Sequence, residues 1–221
     1  MAGASLSVSK GSRAGGDWAK TAFFVALAAA VLLVIWTDER FLVLPHDPFW
    51  GQIAPFKGVL LFHGLFGATA LALGPLQFSD RLRKARPRLH RWLGRVYVGA
   101  ICVAAPLGGF IGIHFAGSSG GLPRMMIVEQ AFQSGGWLFA TLMALACILR
   151  RNIPAHKVWM MRSYAFCTIF IISRVPDAIP NFHWNDQLLT DFLWGLVVAA
   201  CLAPDVIMTV RELARRRPVR A

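Results

Sequence analysis

The sequence predicts an all-α, polytopic membrane helix bundle of about six transmembrane helices. Of its 221 residues, 56% are hydrophobic and only 15% charged, and the apolar residues fall in long blocks separated by short charged or Pro/Gly-rich strips. A soluble domain would carry about 25% charged residues, and the mean hydropathy of +0.54 points the same way. In hydrocarbon only helices and closed barrels satisfy every backbone group, and continuous apolar runs of this length exclude the alternating strands of a barrel.

Taken in order, residues 1–20 are Gly/Ser-rich with Lys10, Arg13 and Lys20, the composition of a disordered cytoplasmic tail. The first apolar run, Thr21 to Trp36, is followed by Thr37-Asp38-Glu39-Arg40 instead of a small-residue cleavage site, so it reads as a retained signal-anchor helix. Further spans run from about Gly58 to Phe78, Trp92 to Phe115, Met126 to Leu149, Val158 to Val175 and Leu188 to Val210. Each is close to the ~20 residues that cross a ~30 Å core. Residues 21–210 thus form one transmembrane domain, and 211–221 a basic cytoplasmic tail with Arg215, Arg216 and Arg217.

Orientation follows from the cations. The N-tail, the strips 79–95 and 150–162, and the C-tail collect 19 of the 23 Lys and Arg residues, leaving Arg40, Lys57, Arg124 and Arg174 for the other side. That asymmetry places both termini in the cytoplasm of a bacterial inner membrane. Basic loops beside spans are a topology signal and a contact for anionic lipid headgroups, and argue for no nucleic-acid partner despite a net charge of +12. Cys102, Cys147, Cys167 and Cys201 stand singly inside apolar segments, as small buried residues do.

Two loop-to-helix junctions read alike: His90-Arg91-Trp92-Leu93-Gly94-Arg95-Val96-Tyr97 and His156-Lys157-Val158-Trp159-Met160-Met161-Arg162-Ser163-Tyr164. Allowing one insertion, both are His, basic, Trp, two residues, Arg, one residue, Tyr. The simplest reading is a repeated hairpin, spans 2–3 and 4–5, packed as a pseudo-symmetric four-helix core with the first and last spans outside it. With these elements, with His63 and with Gly74-Pro75-Leu76-Gln77-Phe78, the chain resembles the bacterial predicted membrane proteins grouped as domain of unknown function 2306, over roughly residues 58–174. Val158 departs from a more compact His-basic-basic-Trp-Met pattern. The resemblance implies membership but no activity.

Ionisable groups inside spans are costly, so each is a candidate site. His63 lies six residues beyond Lys57, about 9 Å below the outer surface at 1.5 Å per residue. Gly64, Gly67 and Ala68 around it would let a neighbour or planar ligand approach. Equally, it could be a neutral histidine bonded to Glu129, Gln130 or Gln133. His90 and His156 share a depth at the inner interface. Facing each other they could bind haem iron axially, or with His63 supply metal ligands, with Arg91, Arg95 and Arg162 for propionates; otherwise they anchor the bundle among headgroups. His114 is a further candidate ligand. Arg162 and Asp205, both about one and a half turns from the cytoplasmic ends of their spans, match in depth, and Glu129 could meet Arg174.

Three functions remain open: a redox protein holding b-type haem between spans, a small transporter, channel or sensor-type partner subunit using the buried charges, and a non-catalytic assembly or scaffold protein. The redox reading makes the sharpest residue-level claim. Partners under any of them are the lipid bilayer and a membrane protein.

Overall fold

The structure, a computed structural model, describes residues 11–37, 44, 51, 54–118 and 124–215. Residues 1–10, the segment holding Asp38, Glu39, Arg40 and Asp47, and the arginines after Arg215 lie outside these. Among the described residues there are seven α-helices and no strand: α1 (Gly11–Thr37), α2 (Lys57–Gln77), α3 (Asp80–Ala85), α4 (Pro87–Ser118), α5 (Arg124–Leu149), α6 (Ile153–Arg174) and α7 (Asp186–Arg215). All but the six-residue α3 are long and apolar enough to cross a membrane.

The helices overrun the hydropathy blocks, because caps in the polar strips set their ends. Arg86 is extended (φ −137°) ahead of Pro87, as a residue before proline must be, and Pro87 then opens α4 five residues before Trp92. Asn152 caps α6, its side chain accepting from Ala155 N at 3.2 Å, so that α6 begins at Ile153 and not at Val158. Asn185 accepts from Leu188 N at 2.8 Å and starts α7. Ser79 accepts from Leu82 N at 3.2 Å and caps α3, where a plain loop was expected. The first helix reaches back to Gly11, across residues 11–20 of the expected tail; a helix propagates readily from an existing span, and no proline stands between Gly11 and Thr37.

Packing is heaviest within the pairs α2–α4 and α5–α6, the two expected hairpins, and then between α4 and α5. Contact of α6 with α2 closes these four into a ring, while α7 packs on α6 and α5, and α1 on α6 and the following 3₁₀ turn, Val175–Ala178. Lys20 Nζ donates to Phe78 O and ties the start of α1 to the end of α2. The basic strips therefore meet at one end of the bundle, the basic end.

α6 is the hub. It has the lowest mean hydropathy of the six spans and the largest buried share. A helix wrapped by others need not be apolar towards lipid, which is why α6 tolerates Arg162, Ser163, Thr168 and Ser173. Glycines admit its large side chains. A methyl on Gly74 would sit 1.9 Å from Tyr164 Cε2, and one on Gly136 would sit 2.8 Å from Phe166 Cζ.

Candidate functional site

At the centre of the ring the two hairpins are joined by hydroxyls. Tyr97 on α4 and Ser163 on α6 stand 2.9 Å apart, and Ser163 and Thr141 on α5 stand 2.7 Å apart. Thr141 donates its one proton to Trp137 O at 2.8 Å, so Ser163 must donate to Thr141, and Tyr97 to Ser163. Every hydroxyl hydrogen in this chain is committed. The other repeat tyrosine, Tyr164, donates to Leu71 O at 3.1 Å. The two tyrosines of the sequence thus occupy the same slot of the repeat, and both are buried.

Above this network, away from the basic end, Pro106 lies inside the continuous α4 and has no N–H for the carbonyl one turn back. The next residues offer glycines to polar side chains from both sides. The imidazole of His63 lies against Gly108, where a methyl would be 2.6 Å from Cε1; Ser134 lies against Gly109 and Gln130 against Gly112. His63 Nδ1 is 2.9 Å from Ala104 O. A carbonyl only accepts, so Nδ1 carries a hydrogen. The partner of His63 is therefore backbone, and not Glu129, Gln130 or Gln133. The small residue that receives it is on the facing helix, since Gly64 and Gly67 have nothing within 4 Å of a Cβ.

Glu129, on α5, is fully buried, and neither carboxyl oxygen has a hydrogen-bond partner among the described residues. The expected pairing with Arg174 is not formed. Arg174 instead lies 3.8 Å from Asp177, three residues on, with its guanidinium over the Phe170 ring. Glu129 shares its helix face with Trp137, Ala140, Thr141 and Ala144, which turns it into the ring, while Arg174 is on an exposed face at the helix end.

At the basic end, His156 Nδ1 donates to Ala144 O at 2.8 Å, the same device as at His63. His90 lies near enough to His156 for charge on one to act on the other; its Nδ1, like Gln77 Nε2, is buried without a partner among the described residues. Arg91 and Arg95 are exposed. Arg162 is not with them: it pairs with Asp205, donates from Nε to Cys201 O at 3.1 Å and lies 4.4 Å over Trp159. His114 stacks between Phe56 and Phe110, with centroids 4.2 and 5.8 Å away.

The histidines fall into separate places. Ala104, which holds His63, is fourteen residues along α4 from His90, about 21 Å at 1.5 Å per residue. Among the described residues no three His, Cys, Asp or Glu side chains stand close enough to hold a metal ion, so His63, His90 and His156 do not form one ligand set. The sequence did not mark Thr141, Ser163 and Tyr97 as a site, although Ser163 and Tyr97 lie within its repeat.

Among the described residues, six long apolar helices packed as a bundle define an integral, multi-pass helical membrane protein. The chain belongs to the DUF2306 family, described as predicted membrane proteins, whose model matches residues 60–210. Among curated proteins and among solved structures, nothing matches.

Proposed function

We propose that this protein is a small membrane carrier that takes up and releases a proton at Glu129. The observation that carries the reading is the Glu129 carboxyl, wholly buried within a span with both oxygens unpartnered among the described residues. An ionisable group in that position is expensive and marks pathways and relays. A glutamine or leucine would fill the same space at less cost, so what the carboxyl adds at this position is its charge. Its charged form is costly there without a partner, and no metal-ligating cluster surrounds it among the described residues. Pro106 and the glycine face of α4 supply a helix able to shift beside it. The basic end faces the cytoplasm in this reading, in contact with anionic headgroups.

The test is flux in proteoliposomes. Wild type should dissipate an imposed pH gradient, and Glu129→Gln should abolish this while eluting as a folded species. A folded variant with normal flux would overturn the reading.

A second reading, a membrane redox protein with b-type haem, is favoured by one observation: His156, like His63, has its Nδ1–H fixed by a carbonyl, the arrangement that orients imidazole ligands. The ligands would be His156 and His90, since His63 is too far along α4 to join them. A colourless protein after haem-supplemented expression counts against it.

A further inference from the structure

A cavity of about 620 Å³ lies between α5, α6 and α7, and neither Glu129 nor any histidine lines it. Its walls are aromatic, with Phe139, Trp159 and Phe166; Gly135, on an exposed face of α5, also lines it; and Arg162 and Asp205 form its one charged element. Phe139 is exposed within a span, so the cavity is open to a lipid-soluble molecule from the bilayer.

The polar element selects the occupant's head. Of the five N–H groups of Arg162, Nε–H goes to Cys201 O and one Nη2–H to Asp205; the other three have no partner among the described residues. A plain acyl chain offers them no acceptor. A phosphate or carboxylate head would accept, but would stand beside the Asp205 carboxylate, which already neutralises the arginine and repels a second anion. A neutral carbonyl oxygen meets the donors without that penalty. The walls select the body: aromatic faces and a glycine with no side chain suit a flat ring.

We propose that this cavity binds a neutral, lipid-soluble carbonyl compound of the quinone class, its ring over Gly135 and one carbonyl oxygen accepting from Arg162. The proposal is independent of the carrier reading.

The full chain in detergent would be titrated with decylubiquinone by tryptophan quenching and equilibrium dialysis, with oleate and dioleoylphosphatidylcholine as competitors. Wild type should bind saturably, and neither lipid should displace the quinone at equal concentration. Gly135→Leu should weaken binding at least tenfold by filling the cavity; nothing lies within 4 Å of its Cβ, so the fold accommodates it. Arg162→Lys, which keeps the pair with Asp205 but removes the planar fork, should also weaken binding at least tenfold, and it carries the test should Gly135→Leu fail to fold. Absence of saturation, unchanged affinity in a folded variant, or equal displacement by oleate or phospholipid would overturn the proposal.

Discussion

A single side chain in hydrocarbon can be found from sequence, but its partner cannot. Glu129 and His63 stand out because each interrupts an apolar run, and that much was legible. Depth counting then suggested Arg174 for Glu129, and Glu129, Gln130 or Gln133 for His63; neither pairing forms, because depth says nothing about rotation around the helix axis. Arg162 and Asp205 are a pair whose depth and rotation both agree. The hydroxyl chain carries an ordering that mutants should reveal. Ser163→Ala strands the Tyr97 donor and the Thr141 acceptor, an expected loss of about 1–3 kcal/mol. Tyr97→Phe removes a donor and leaves only an acceptor lone pair unmet, an expected loss of roughly 1 kcal/mol. Thermal melts in detergent check this; a larger loss for Tyr97→Phe would reverse the donor assignment.

For whole elements, hydropathy located every span but misplaced several starts by two to five residues. Pro87, Asn152 and Asn185 are polar-strip residues that read as loop, yet Pro87 is the first residue of its helix and the two asparagines cap theirs. The turn between α5 and α6 shows what a cap costs. Arg151 sits at φ 60°, a left-handed position that costs a non-glycine residue roughly 1–2 kcal/mol. Arg151→Gly should therefore raise the melting temperature, and a fall would mean that the arginine side chain contributes more than the strain removes. Gly74 is the opposite case: Gly74→Ala drives a methyl into Tyr164, with an expected loss of about 1–3 kcal/mol by overpacking, read in the same melts.

At the level of the molecule, the repeated His-to-Tyr element pointed to a four-helix core with two spans outside, and the ring of α2, α4, α5 and α6 has that form. The cavity beside α7 left no trace in the sequence, because it arises where single residues of three helices, among them Gly135, Arg162 and Asp205, meet, and the sequence does not show how those helices are rotated against one another. Topology is checked by single cysteines at Ser79, Asn152 and Asp186: the first two should label from one side of the membrane and the third from the other. Labelling of Ser79 and Asn152 from opposite faces would break the bundle as described.

The central claim, a lone carboxyl sealed in the bundle and used for transport, is tested most directly by a lipid-soluble carbodiimide applied to the reconstituted protein, followed by peptide mass spectrometry. The expected result is an adduct on Glu129 that grows in step with the loss of flux. Loss of flux with Glu129 unmodified, or full modification of Glu129 with flux intact, would contradict it.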